Sequence, residues 1–167
     1  MITKPSDEEV KAAAQVLQKL EPGFLPFPIF HEVARLTTTP IVEIVPLRTH
    51  QGRTEILLLK READDPVWPG KLHAPGTVLR ATDTLQSALK RVCDDELQGV
   101  QVTEPKFVTN ILHHSGRGME APQIYWVEVL GDASGVGQFY DADDLPEDLV
   151  RSQLDFIPQA VRAYQAR

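Results

Sequence analysis

The stretch GTVLRATDTLQSALKRVCDDELQGV, residues 76–100, carries the densest pattern in the chain. From Thr84 to Leu97 the spacing predicts a helix. Leu85, Ala88, Leu89, Val92 and Cys93 fall on one apolar stripe, while Lys90, Arg91, Asp94, Asp95 and Glu96 largely take the polar side. Asp83, with Gln86 three residues on, supplies a helix cap. Asp94, Asp95 and Glu96 form three consecutive carboxylates near the helix C-terminus, where the dipole disfavours each by roughly 0.3–1 kcal/mol. A hard divalent cation offsets that cost, because Mg²⁺ takes a few carboxylates together with waters and phosphate oxygens. Arg91, four and five residues before Asp95 and Glu96, is placed to hold those carboxylates. The plainer alternative is a solvated helix face with an i,i+4 ion pair.

Outward from this segment, the period changes repeatedly. IVEIVPL (41–47) and TEILLLK (54–60) are apolar, β-rich runs joined by a polar turn at Gln51-Gly52, which predicts a hairpin. ADDPVWPGKLHAPG (63–76) is a loop punctuated by Pro and Gly. After the helix come strand-like runs at 106–112, 123–130 and 137–142, with the loop HHSGRGMEAP (113–122) between the first two. DDLPEDL (143–149) is a polar turn, and Phe156 to Tyr164 reads as a closing helix. Tyr125 and Trp126, adjacent in a strand, are expected to place one ring inside and one outside. Strands thus alternate with few helices, which implies an α/β layout with a mixed sheet.

Ahead of the hairpin, Ser6 followed by Glu9 is a capping box that starts a helix running to Leu20. Its apolar side, Val10, Ala13, Ala14, Leu17 and Leu20, must be buried on the domain or on a second copy. The Pro-rich connector GFLPFPIF (23–30) and a short helical stretch through Val33 and Leu36 follow. Residues 1–40 are therefore read as an N-terminal helical extension and residues 41–167 as the main domain.

The whole chain has 167 residues, with 17 Lys and Arg against 24 Asp and Glu, a net charge of −7 that argues against a duplex nucleic-acid or membrane-surface partner. The single cysteine, Cys93, faces the helix stripe and makes no internal disulfide, which suits a reducing, cytoplasmic setting. No apolar signal core stands at the N-terminus, and no stretch approaches the length of a membrane span.

Residues 76–100 also resemble the Nudix box, G-x5-E-x7-R-E-U-x-E-E-x-G-U with U aliphatic, of the MutT-like Nudix hydrolases. In register, the box's first Gly falls on Thr77, its first Glu on Asp83 and its Arg on Arg91. The following Glu falls on Val92, the aliphatic on Cys93, the acidic pair on Asp95 and Glu96, and the closing Gly on Gln98, one step before Gly99. The loop W-P-G-x-L-H-x-P-G before the box and the FYDADDLPEDL segment near the end resemble the family's flanking features, and the likeness spans about residues 41–164.

That resemblance implies an α/β/α sandwich with a mixed sheet and a Mg²⁺- or Mn²⁺-dependent hydrolase of a nucleoside diphosphate linked to another moiety. It assigns metal binding to Glu96 and Asp95, with the Gly76 carbonyl as a third ligand. Val92 vacates a position where the family often has a catalytic Glu. The same vacancy makes the segment similar to the GDP-mannose mannosyl hydrolase branch, in which a loop His acts as base. His114, nearer the loop, and His113 are the matching candidates, with Glu120 as a further base or ligand and Arg91 as a positioning residue. An unperturbed histidine suits general-base work at neutral pH. Trp68, His73 and Arg117 are candidates to contact a small-molecule, nucleotide-type substrate. Each has a structural alternative: exposed polar residues for the two His, a solvated charge for Glu120, packing for His73 and Trp68. A different class of function, a Nudix-fold binding or regulatory module without catalysis, draws support from Val92 and Thr77; a homodimer through the extension is a further expectation.

Overall fold

The computed structural model describes residues 4–167, so the first three residues of the extension lie outside the described residues. Ser6 caps the first helix, α1 (Asp7–Leu17), in the expected box with Glu9. A second helix, α2 (Phe27–Leu36), begins at Pro28 in its first turn, where a missing N–H costs nothing. The long strand β1 (Thr38–His50) turns at Gln51-Gly52 into β2 (Arg53–Lys60). Both turn residues have positive φ, 50° and 78°, the geometry of a tight hairpin. Two short strands, β3 (Leu72–His73) and β4 (Gly76–Val78), bracket the approach to helix α3 (Leu85–Asp95). Then follow β5 (Lys106–Asn110), β6 (His113–Ser115), β7 (Gly118–Glu128), β8 (Gln138–Asp141), a 3₁₀ turn at Arg151–Asp155 and helix α4 (Ile157–Gln165).

The strand order is β3-β2-β1-β7-β5, with β4 paired to β1, β6 to β7 and β8 to β2. β1 and β7 run parallel along ten registered pairs from Thr38↔Met119 to Leu47↔Glu128, while the other ladders are antiparallel. The sheet is therefore mixed, as expected. Pro46 sits in this central strand without breaking it. The amide of Ile44, two residues earlier and on the same edge, donates to Pro75 O. Pro46's missing N–H thus falls where β1 passes from β4 (ending at Glu43) to β2 (starting at Leu47).

Helices cover both faces. Val42, Ile44, Tyr125 and Val127 pack against Ala88 and Val92 of α3. Val45, Leu47, Ile124 and Trp126 pack against Phe156, Ile157, Ala160 and Tyr164 on the α4 side. This layering corrects the expectation for Tyr125 and Trp126. Both rings are buried, on opposite faces, and Trp126 meets Tyr164 edge-on at 5.2 Å. Among the described residues no helix is long and apolar enough to cross a membrane.

Of the two covers expected for α1, the domain does not supply one. None of its residues is buried, and Val10, Val16 and Leu17 stay about half exposed, so its apolar side does not pack on the domain. α2 does, inserting Ala34 against the sheet. Substituting Leu17 by Ser is accordingly expected to shift unfolding free energy by less than about 0.5 kcal/mol, measured by denaturant titration at low protein concentration.

Candidate functional site

Glu43 is the only charged residue within the apolar core of β1, and it stands opposite Gly76 in the β1–β4 ladder. A Cβ at residue 76 would overlap the Glu43 carboxyl group, so glycine is what lets the strands close around it. Gln153, from the 3₁₀ turn, fixes the arrangement. Its Nε2 donates to Glu43 Oε2 (3.3 Å) and to Ala74 O (3.0 Å), while its Oε1 accepts from Ala74 N (2.7 Å). Burial pushes the Glu43 pKa up to about 8; Arg117 and Arg61 pull it down, and Glu120 and Glu96 push it further up. Glu43 is thus neutral at physiological pH, in sight of two arginines and two other carboxyls.

β7 and its loop bring the next group together. Glu120, 3% exposed, accepts from Arg117 Nε (2.8 Å), with Arg117 Nη2 at 2.7 Å, and faces His113 Nε2 at 3.4 Å. Burial works to raise the Glu120 pKa, but the bond from His113 and the Arg117 charge outweigh it and hold the carboxyl below its ordinary value. The bond to Glu120 in turn raises the His113 pKa, with Asp155 adding to the effect. His113 Nδ1 lies 3.3 Å from Asp155 Oδ2 but off the hydrogen-bonding direction, leaving that nitrogen without a hydrogen-bond partner. Trp68 stands behind both arginines, 4.9 Å from the Arg117 guanidinium and 5.3 Å from that of Arg61.

The loop-helix segment is wired differently from its sequence reading. Arg91 points away from Asp95 and Glu96, toward the Thr77 hydroxyl and the Asp83 carboxylate, and clamps the loop onto α3. This corrects its expected role. Asp83 is not the helix cap; Thr84 is, in a capping box with Ser87, which frees Asp83 to take Arg91 and the Arg80 amide. Val92 is buried against the sheet. α3 ends where Gln98 and Gly99 turn left-handed at φ 47° and 85°. Arg91→Ala is expected to destabilise the chain by about 1–2 kcal/mol, read by thermal unfolding, through Asp83 and Thr77 losing a shared donor.

Two cavities flank Arg61. One, of about 480 Å³, is lined by Glu43, Gly76, Arg61 and Arg117 together with residues 22–25, Phe27 and Phe30. The other, of about 470 Å³ and more open, is lined by Arg61, Asp65, His73 and Glu96. Burial raises the Glu96 pKa, Arg61 opposes this and Asp95 reinforces it. Burial also depresses His73, to about 4, and its Nδ1 is bonded to Ala74 O, so the ring is neutral. The structure therefore gathers Gly76 and Arg117 at one cavity and His73 and Glu96 at the other. Asp95 and His114 are exposed and line neither cavity. Among the described residues no group of three or more His, Cys, Asp or Glu converges as a metal cage. Glu43, Arg61 and Gln153 were not visible as site residues in the sequence; the one available signal was a lone carboxylate inside the IVEIVPL run.

No family model matches the sequence, and no curated protein does. Solved structures do match. A mutT/nudix family protein from Listeria innocua aligns with TM-score 0.61 at 17% identity, over 78% of this chain and 96% of that one. The NUDIX domain of Shewanella oneidensis NrtR complexed with ADP ribose aligns at 0.60 and 16%, over 90% and 97%. The Caenorhabditis elegans Ap4A hydrolase aligns at 0.57 and 12%, over 77% and 99%. At these identities the likeness establishes the fold, a divergent Nudix-type α/β/α sandwich. It also corrects one expectation. S. oneidensis NrtR complexed with a 27mer DNA aligns at 0.58 and 18%, over 75% of this chain and 62% of that one. The C-terminal domain of mouse MUTYH, in complex with human PCNA, aligns at 0.59 and 11%, over 78% and 91%. An acidic net charge therefore does not exclude nucleic-acid or protein partners for a chain of this fold.

Proposed function

We propose that the chain hydrolyses a nucleoside diphosphate linked to a second moiety, with the help of a divalent metal. The observation that carries this reading is the pair of desolvated carboxyls, Glu43 and Glu96, which face cavities on either side of Arg61, each with a pKa raised by burial against the pull of Arg61. Buried carboxyls of this kind are costly alone and are stabilised by a cation. A cage of three side chains is not required, since Mg²⁺ is held by one or two carboxylates plus waters and phosphate oxygens. Glu96 supplies a carboxylate of that donor set from its cavity, while Asp95, exposed, and Gly76, at the other cavity, are not gathered with it. A bound Mg²⁺ or Mn²⁺ would neutralise the diphosphate and make its bound water more acidic. The substrate class draws on the neighbours described as an Ap4A hydrolase and as an ADP-ribose complex.

The chain's own groups divide the remaining work. Glu43, protonated in the metal-free chain, would be ionised by a divalent cation bound nearby, and as a carboxylate on the cavity wall it accepts the proton of the attacking water. His113 is bound to Glu120, Glu120 is held by Arg117, and His114 is outside both cavities, so Glu43 is the better base. Arg61 lines both cavities and spends only one nitrogen on Asp65, which suits its guanidinium to phosphate oxygens. A screen of nucleotide sugars and dinucleotides with Mg²⁺ and Mn²⁺ tests the reading. Glu96→Gln is expected to weaken Mn²⁺ binding at least roughly tenfold; unchanged affinity would remove Glu96 from the metal site.

One observation favours a second reading, a nucleotide-binding module without turnover. Val92, where the Nudix pattern has Glu, is locked in the core rather than facing either cavity. Nucleotide binding with no turnover under any metal would carry that alternative.

A further inference from the structure

We infer that the connector Pro22–Phe30 roofs a subsite for an aromatic base, and that this N-terminal segment selects the moiety attached to the diphosphate. The inference rests on the diphosphate reading above and names which part of the ligand lies where.

The cavity is built from two unlike surfaces. Its roof is Phe24, Leu25, Phe27 and Phe30, side chains with no polar atoms. Its floor carries the Glu43 carboxyl and the Arg61 and Arg117 guanidinium groups. At about 480 Å³ it lies within the roughly 300–1,000 Å³ range of small-molecule sites. Phe24 is 73% and Phe27 42% exposed, so two large rings are left with uncovered faces at this cavity.

The roof is anchored at both ends. Gly23, at φ +117°, brings the backbone so close to the loop before α3 that an added Cβ would sit 3.1 Å from Thr82 Oγ1. At the other end, α2 lies against β7, where a Cβ at Gly118 would be 2.7 Å from the Ala34 carbonyl oxygen. The connector thus spans from the box loop to the start of β7. Arg117 reaches up from the floor to within 5.9 Å of the Phe30 ring, joining the two surfaces.

Such a cavity suits a flat ring with heteroatoms along one edge. The faces stack on phenylalanine, and the edge meets the guanidinium groups. A pyranose suits it poorly, because its hydroxyls project all round and those toward the roof would be buried unpaired. Arg61, shared with the neighbouring cavity of Glu96 and His73, marks where base and diphosphate would join.

The test uses the full chain with Mg²⁺ and three kinds of probe, the four common nucleoside diphosphates, their parent nucleosides and inorganic pyrophosphate, by calorimetry. At least one nucleoside diphosphate should bind ten or more times tighter than pyrophosphate, on the order of what one stacked base adds. Phe24→Ala and Phe27→Ala should each lower that affinity by roughly 5- to 100-fold while leaving pyrophosphate unchanged. Thermal unfolding checks that the variants stay folded; Phe24, exposed as it is, offers the safer substitution. If no nucleoside diphosphate exceeds pyrophosphate, or if both Phe variants leave the preference intact, the subsite is refuted and the diphosphate reading stands. If pyrophosphate fails to bind while adenosine, guanosine, uridine or cytidine binds in a Phe24-dependent way, the subsite stands and the diphosphate reading falls.

Discussion

Replacing Arg117 by alanine is expected to cost about 3 kcal/mol of stability at neutral pH, the lower end of what breaking a buried ion pair costs. Glu120 is 3% exposed and takes both of its close contacts at Oε1 from the Arg117 fork, at 2.8 and 2.7 Å. Without the fork, the ionisable side chain left in contact with it among the described residues is His113, at the longer 3.4 Å. The deficit has a pH signature. The folded pKa of Glu120 lies below its ordinary 4.5, so the wild-type contribution is present above that pH and lost as pH falls through the folded value. In Arg117→Ala burial is opposed only by the bonds from His113 and Ser115 and the folded pKa rises, so the variant's deficit should shrink as the solution is acidified toward pH 5. Adding Glu120→Gln should recover much of the loss at neutral pH, since a neutral amide is far cheaper to bury unpaired than a carboxylate. Denaturant unfolding of the two single variants and the double at pH 5 and 7 measures all of this. A double variant no more stable than Arg117→Ala would mean that the arginine acts by packing over Trp68 instead.

How much of this was legible in the sequence follows the range of each interaction. The β1–β2 hairpin was readable because two adjacent residues, Gln51 and Gly52, encode its turn. α3 was readable because its stripe repeats at helical spacing, and Ala88 and Val92 are indeed buried. The cap was misassigned by one residue, since Asp83 and Thr84 are both competent caps and only the distant Arg91 decides between them. The parallel pairing of β1 with β7 joins residues about eighty positions apart and leaves no local mark. The site suffers most from this. Glu43, Arg61 and Arg117 come from three elements, and Gln153 reaches Glu43 across 110 positions. The box motif drew attention to α3, whereas the carboxyl most altered by its surroundings stands on the strand facing Gly76. A charge inside an otherwise continuous apolar run was the clue that deserved more weight, because such runs are buried on both faces.

Glu43→Gln is expected to act in opposite directions on stability and on turnover. Glutamine keeps a carbonyl oxygen to accept from Gln153 and stays neutral at every pH. In the metal-free wild type, Glu43 carries its proton in the folded chain up to about pH 8 but loses it near 4.5 when unfolded. Over that span the folded state binds the extra proton, so stability falls with rising pH by about 1.4 kcal/mol per unit. His73 works against it. Its folded pKa, about 4 against an ordinary 6.5, makes the unfolded chain the better proton binder in between, so its contribution rises over that range. The two effects cancel up to about 6.5, and a net fall of about 2 kcal/mol should appear between pH 6.5 and 8. His113, with its raised pKa, steepens that fall. In Glu43→Gln the fall should shrink to the His113 part, and by pH 9 the variant should exceed the wild type by about 5 kcal/mol. Turnover of whichever nucleotide the wild type hydrolyses should nevertheless drop by roughly 10²–10⁴, the usual cost of losing a general base, while His114→Ala leaves it unchanged. Unfolding curves recorded in chelator across pH 5–9, beside rates with Mg²⁺, separate the two effects. A variant that is stabilised yet fully active would leave Glu43 a buried structural acid and return the base to His113 or Glu120. One that is both less active and more stable would show a carboxyl kept in the core at the fold's expense for the chemistry it performs.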